Sequence, residues 1–190
     1  CHNPGISYGG TFCAELIWCI FFTLTIYSLF MSDNFTIIHA TTVDIIALSE
    51  IGRQTFFETF SESNTEENMK LYLEQRFSDK KLGSELNNPD SAFYFIKDAG
   101  RIIGYLKINM GNAQTELNSD YALEIERIYV LKEFHGRKAG QLLYDKAIQI
   151  AKEKNVDYIW LGVWEENPRA IKFYQKNGFI AYDKHIFTLG

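Results

Sequence analysis

Beyond Cys19 the sequence contains no cysteine. A disulfide framework, a cysteine-ligated metal and a thiol nucleophile are therefore excluded from residues 20–190, and the composition suits a reducing, cytoplasmic setting. Proline is scarce, at three residues, and no internal repeat or low-complexity stretch occurs. Basic residues are outnumbered, 19 against 24 acids, for a formal charge of −5. Such a chain is a poor general nucleic-acid binder, because a phosphate backbone needs a basic face. An acidic surface suits cationic ligands better, although mild acidity is also the ordinary state of a cytosolic protein. His39 and His185 stand apart from any second ligand, so no metal-binding set is legible. What is present is 190 residues with 46% hydrophobic content, enough for one domain with a real core and too short for two comfortable ones.

Charge is nearly missing from the first thirty residues, where Glu15 stands alone among all three cysteines, Cys1, Cys13 and Cys19. From Phe12 to Phe30 the run is apolar apart from Glu15 and a few Ser, Thr and Tyr, a length that can just span a bilayer. No Lys or Arg flanks it, so the usual orientation signal is missing. The first methionine is Met31, and from there the chain reads as a self-sufficient soluble domain of net charge −4 once Glu15 is set aside. Residues 1–30 are accordingly expected to be upstream-translated or vector-derived sequence outside a domain at 31–190. A membrane anchor and a lipidated Cys1 are the competing readings.

Within 31–190 the patterning alternates. Residues 35–40 read as a strand, and 42–60 and 64–77 as helices, the second with an Asn or Thr cap and acids in its first turn. Residues 80–90 read as a loop. Residues 91–109 read as a hairpin turning at Asp98-Ala99-Gly100, 110–120 as another loop, and 121–130 as a strand. A strongly amphipathic helix follows at 139–155, then a strand at 157–164. A helix at 167–179 has Asn167 as cap, Pro168 in its first turn and Gly178 as terminator, and a last strand starts at 180. That order is a mixed α/β layer with one βαβ-type crossover.

The crossover carries the first chemical signal, "EFHGRKAGQLL" at 133–143. A strand, a glycine-containing turn and a helix form an anion site, because the first N–H groups of the helix are unpaired and the dipole adds positive charge. Arg137 and Lys138 add more. A nucleotide P-loop is excluded, since Gln141 follows Gly140 where Lys is required, and the dinucleotide fingerprint does not fit the spacing. An ordinary β–α connection with solvated basic residues is the plain alternative. The second signal is the strand at 121–130, whose Glu124 and Glu126 sit two apart and point to one face. Carboxylates inside a central strand are costly unless paired or used. Ion pairing with Arg127, Lys107 or Lys132 is the alternative to a chemical role.

Read together, "ERIYVLKEFHGRKAGQLL" and "YIWLGVWEENPRAIKFYQKNGF" resemble the GNAT family of acetyl-CoA-dependent N-acetyltransferases, and within it "FFETFSESNTEENMKLYLEQRF" at 56–77 resembles the substrate-side helices of bacterial spermidine/spermine acetyltransferases of the PaiA type. The family's pyrophosphate loop has the pattern [QR]xxGx[GA], here His135-Gly136-Arg137-Lys138-Ala139-Gly140. Its later helix carries Asn, Ala, Phe-Tyr and Gly-Phe, here Asn167, Ala170, Phe173-Tyr174 and Gly178-Phe179. The likeness covers Met31 to Gly190. His135 replaces Gln or Arg, and Lys138 replaces a glycine; if φ is positive there, a non-glycine bears a backbone penalty of about 1–3 kcal/mol. The family also continues into one more strand, so the domain is expected to lack its last one.

The resemblance implies a twisted mixed sheet of about six to seven strands with helices on both faces. It implies acetyl transfer from acetyl-CoA to a primary amine, a small and cationic one, with a protein or peptide acetyltransferase and a non-catalytic acyl-CoA sensor as alternatives. No metal, nucleic-acid or membrane partner is expected, and a homodimer is compatible. The CoA contacts implied are Ile128, Tyr129 and Val130, the loop residues His135, Gly136, Arg137, Lys138, Ala139, Gly140 and Gln141, and Asn167, Arg169, Tyr174 and Lys176. Glu126, and after it Glu124, is expected to act as base, with Tyr174 as the acid that protonates the thiolate. The acids Glu58, Glu62, Glu66, Glu67 and Glu74 are expected to line a polyamine entrance, or else to be a solvated helix face.

Overall fold

The computed structural model describes residues 12–21, 35–117 and 119–188. Cys1, Met31 and Gly190, on which readings above turned, lie outside them. The strands are β1 (Phe12–Phe21), β2 (Phe35–Ala40), β3 (Ser91–Asp98), β4 (Arg101–Met110), β5 (Ala122–Val130), β6 (Tyr158–Trp164) and β7 (Ile180–Thr188). They form one seven-stranded sheet in the order β2-β3-β4-β5-β6-β1-β7. Among the described residues only the β5–β6 pair is parallel. The helices are α1 (Ile45–Phe60), α2 (Glu66–Arg76), α3 (Asp79–Leu86), α4 (Ala139–Glu153) and α5 (Pro168–Lys176).

Side-chain alternation in β3 sorts the helices onto two faces. The Lys107 ammonium lies 5.4 Å over the Phe93 ring and pairs with Glu85 of α3, which puts α1, α2 and α3 on that face. Tyr94 points the other way, where Lys146 of α4 lies 5.3 Å over its ring. On this second face Leu143, Ala147, Ile150 and Ala151 of α4 are buried, at the spacing of one helical stripe. Full burial of a Leu or Ile contributes about 1.5–3 kcal/mol. α5 packs beside α4, with Phe173 edge-on to Tyr144 at 5.9 Å. The capping reading of α5 holds: Asn167 accepts the Ala170 N–H at 3.1 Å, and Pro168 opens the helix. The hairpin turn at Ala99 and Gly100 has positive φ at both positions, 47° and 87°, as a tight two-residue turn requires.

Two expectations are corrected. Residues 80–90 are not a loop throughout, because α3 occupies Asp79–Leu86 behind a Ser78 cap. Gly83 and the short length hide this helix from local propensity. Its reasons for forming are tertiary: Leu82 is fully buried, and Glu85 meets cations on β4 and β5. The other correction concerns the N-terminal segment, set outside the domain with the sheet left one strand short. The structure instead puts Phe12–Phe21 inside the sheet. β1 pairs antiparallel with β6 from Glu15↔Trp164 to Phe21↔Tyr158, and on its other edge with β7 from Phe12↔Thr188 to Cys19↔Ile180. β7 therefore joins the sheet through β1.

Removal of residues 1–30 is expected to leave β6 and β7 without the strand between them. The shortened chain should unfold at lower temperature, at about 2–4 °C per kcal/mol lost in a domain of this size. An unchanged Tm by calorimetry would show that β1 contributes nothing to the folded domain.

Candidate active site

β5 and β6 run together only briefly. They pair at Ala122↔Tyr158, Leu123↔Ile159 and Glu124↔Trp160, and then part. β6 stays with β1, while β5 stays with β4 to Val130. A β-bulge lies in β5 just past the parting, where Lys107 pairs with Arg127 and Ile108 with Ile125, so that Glu126 is the extra residue. Bulges bend a strand and raise its local twist. The result is a fork with Glu124 at its apex.

The fork exposes backbone. Leu131 donates its N–H to Ile103 of β4, so by alternation Val130 and Ile128 turn N–H and C=O toward the fork, and Tyr129 toward β4. His135 closes the mouth: its Nε2 lies 2.8 Å from the Val130 carbonyl. Its Nδ1 meets the Arg169 guanidinium at the start of α5. These partners fix the tautomer with hydrogen on Nε2.

Beyond the mouth the loop winds into α4. Gly136 has φ 81°, and Lys138, the N-cap of α4, has φ 64° and ψ 3°. The lysine does occupy the left-handed region that its place in the motif suggested. The first α-helical bond of α4 runs from the Leu142 N–H to the Lys138 carbonyl, which leaves the N–H groups of Ala139, Gly140 and Gln141 free to meet an anion. A Cβ added at Gly136 or Gly140 would meet nothing within 4 Å, so both positions border open space. Gln141 exchanges hydrogen bonds with Asn177, which places the last turn of α5 and the exposed Lys176 beside this helix start. Arg137 is turned elsewhere. It pairs with Asp98 at 3.2 Å and lies over the Phe35 and Phe134 rings, so its side chain braces the loop against β2 and β3.

The apex of the fork is a buried polar floor. The bulge makes Glu126 and Arg127, consecutive in sequence, project to the same face as Glu124. Glu126 is bound by Lys107 and by Arg127 at 3.0 Å. Burial alone would raise its pKa, but the Arg127 and Lys107 charges outweigh that and hold it down at about 2. Glu124 has no cation partner among the described residues. It accepts from the Thr115 N–H at 2.9 Å, from the Thr115 hydroxyl, and from Asn109 Nδ2 at 2.9 Å. Burial exceeds these hydrogen bonds, and the Glu126 charge adds to it, so the Glu124 carboxyl is pushed up to about 7. The two glutamates thus differ in their partners: ion pairs hold Glu126 ionised, and burial with no cation to offset it raises Glu124. Asn109 bridges them, with Glu126 2.6 Å from the same nitrogen.

Three participants were not singled out from the sequence. Thr115 and Gln114 lie in a stretch that reads only as a loop. Gln114 accepts from the Trp160 indole at 2.7 Å and donates to Ser119 O at 2.8 Å, which locks the loop across the apex. Asn109 is a polar residue with no exposed surface, on a strand that is otherwise apolar on either side of it. Its position two residues after Lys107 is the signal that was available. Tyr174 is buried, with its ring 5.6 Å from Phe179, and burial lifts its phenol above the ordinary range. No hydrogen bond takes its hydroxyl among the described residues.

A forked strand pair with a free backbone edge, ending at a helix N-terminus, fits an extended ligand with an anionic group. Residues 48–179 match the acetyltransferase (GNAT) family. The chain belongs to that family. An uncharacterised N-acetyltransferase in the pepI 3′ region of Lactobacillus delbrueckii subsp. lactis is 39% identical over 154 residues, covering 81% of this chain and 89% of its own. The spermidine N(1)-acetyltransferase of Thermoplasma acidophilum is 26% identical over 144 residues, covering 74% and 84%. The crystal structure of the PaiA N-acetyltransferase from Thermoplasma acidophilum in complex with coenzyme A superposes with a TM-score of 0.70 at 25% identity, covering 78% of this chain and 91% of that one. The protein is an N-acetyltransferase that uses acetyl-CoA. No helix among the described residues is long and apolar enough to cross a membrane.

Gly140→Asp should place a side chain and a like charge in the open space at the α4 N-terminus. CoA affinity measured by calorimetry is expected to fall more than tenfold, above about 1.4 kcal/mol, with an unchanged circular dichroism spectrum. Undiminished affinity in a folded variant would remove this helix start from the CoA site.

Proposed function

We propose that the protein acetylates a small cationic primary amine, of the polyamine class, with Glu124 as general base. The single observation that carries this is the unequal pair at the fork apex: one carboxylate held ionised, its neighbour poised near neutrality. A free alkyl ammonium with pKa near 10.4 is deprotonated only about one part in a thousand at pH 7, so a base beside the acceptor is required.

Acetyl-CoA supplies a thioester carbonyl carbon to which the amine adds, with departure of the thiolate. The Ile128 N–H, turned into the fork, offers a hydrogen bond to the carbonyl oxygen as charge develops there. Glu124 takes the amine's proton, with Thr115 and Asn109 holding its carboxylate in place. Tyr174, kept protonated by burial, donates from its hydroxyl to the departing sulfur. Gly136, Lys138, Ala139, Gly140 and Gln141 supply the anion site through backbone N–H groups, with Lys176 nearby, while the His135 N–H is given to the Lys132 carbonyl. Asn167 and Arg169 border the fork from the start of α5.

The polyamine class rests on the spermidine acetyltransferase among the relatives and on charge. From Ile45 to Arg76, α1, α2 and their connection hold six acids against three bases. The acids are not equivalent. Glu58 accepts the Lys132 N–H at 2.7 Å, and Glu62 lies 3.9 Å from the Lys132 ammonium, so both face the end of β5. Glu66 and Glu74 border a pocket of about 260 Å³ between α1 and α2, together with Arg53 and Lys70, which cancel their charge. That pocket therefore gives a polycation no electrostatic advantage, and the attraction lies at Glu58, Glu62 and the fork.

The test is turnover of acetyl-CoA with spermidine, spermine, diamines, amino acids and peptides, scored by thiol release. Spermidine or spermine should give the highest kcat/KM, rising with pH through an apparent pKa near 7, since Glu124 must be ionised to accept a proton. Glu124→Gln should remove that limb and lower the rate about 10²–10⁴-fold. Preference for peptides would favour a protein acetyltransferase, and acetyl-CoA binding without turnover would favour a sensor.

A further inference from the structure

Glu85 lies outside the acetyl-transfer chemistry just described, yet it is buried and carries charge. It projects from α3 against two cations of the sheet: Lys107 of β4 at 3.0 Å and Arg127 of β5 at 3.5 Å. A third cation, Lys81 on its own helix, reaches it at 3.1 Å from a solvent-exposed position. Lys107 and Arg127 each also bind Glu126. Four groups from three elements thus close a ring in which acids and bases alternate, Glu85–Lys107–Glu126–Arg127. The two negative charges cancel the two positive ones. Around it, Tyr105 holds a hydroxyl that is fully buried and has no partner among the described residues, and Tyr72 lies close enough to interact with Arg127. Asn109 links the ring to Glu124 by donating to Glu126 and Glu124 alike.

This placement has a consequence for the base. Glu124 faces no cation of its own; its neighbours are the neutral Thr115 and Asn109 and the charge of Glu126. Beside burial, the charge that acts on its carboxylate is that of Glu126, which the ring balances through Lys107 and Arg127. An unbalanced positive ring would hold Glu124 as an anion and repel an incoming ammonium. An unbalanced negative ring would keep it protonated. We propose that Glu85 is a positioning residue: by sharing Lys107 and Arg127 with Glu126 it keeps the ring at zero net charge, which leaves Glu124 free to exchange a proton with a cationic amine. The inference rests on the base assignment under Proposed function. It extends it to Glu85 of α3, which is linked to Glu126 through Lys107 and Arg127.

Neutralising one charge at a time separates this role from a merely structural one. Glu85→Gln makes the ring positive by one unit, and Lys107→Met makes it negative by one. Carbon-13 NMR of the Glu124 carboxyl, assigned with Glu124→Gln, should show its titration moved to lower pH in the first variant and to higher pH in the second, each by about half a unit or more. The double variant, neutral again, should return toward the wild-type midpoint. Glu85→Asp, which keeps the charge, should titrate like the wild type. In kinetics, Glu85→Gln should raise KM for spermidine several-fold with KM for acetyl-CoA held. Shifts of the same sign in both single variants, or no shift while thermal stability falls, would overturn the proposal and leave Glu85 as a tether for α3. The NMR readout does not need turnover. A Glu124 titration that responds to the ring in a protein that acetylates no amine would support the ring's role and reject the base assignment.

Discussion

The parting of β5 from β6 after three paired residues is the constraint on which the rest depends. A parallel pair that continued to Val130 would satisfy the backbone of Ile128 and Val130 and leave no edge for a ligand. The bulge at Glu126 bends β5 away, and the same bulge turns Glu126 and Arg127 to one face. Because β6 remains bonded to β1 along its length, the fork opens without leaving β6 at an edge. One local irregularity thus opens the fork and assembles the charged floor beneath it.

The floor divides labour between two glutamates that look alike in sequence. Burial penalises both charges, and only the partners differ. Glu126 has two cations, and removing one partner of such a buried pair typically costs about 3–5 kcal/mol, because the other charge is left uncompensated. Glu124 has hydrogen bonds alone, enough to orient it and not enough to offset burial near neutral pH. A permanent anion beside a titrating one fits the needs of a reaction that must attract an ammonium and then deprotonate it.

Much of this was legible in the residues. Local rules found the helices at 42–60, 64–77, 139–155 and 167–179 and the strands at 35–40, 91–109, 121–130 and 157–164, because each has a strong apolar period and a recognisable cap or turn. The family was legible in two motifs, the loop at 133–143 and the helix at 167–179. What was hidden is non-local. α3 depends on Leu82 and on Glu85 meeting Lys107 and Arg127, more than 20 residues away in sequence. The order of the glutamates depends on which one the cations reach, and the bulge that decides it leaves no mark in the β5 sequence. The place of residues 12–21 in the sheet depends on a gap between β6 and β7 that no local pattern announces.

The central claim is that the forked edge of β5 and the start of α4 form the acetyl-CoA site. Backbone hydrogen–deuterium exchange with and without acetyl-CoA tests it most directly. Protection is expected at residues 125–130 and 136–141, with little change in α2. Protection confined to the pocket between α1 and α2, with the fork and the α4 start unchanged, would contradict the account.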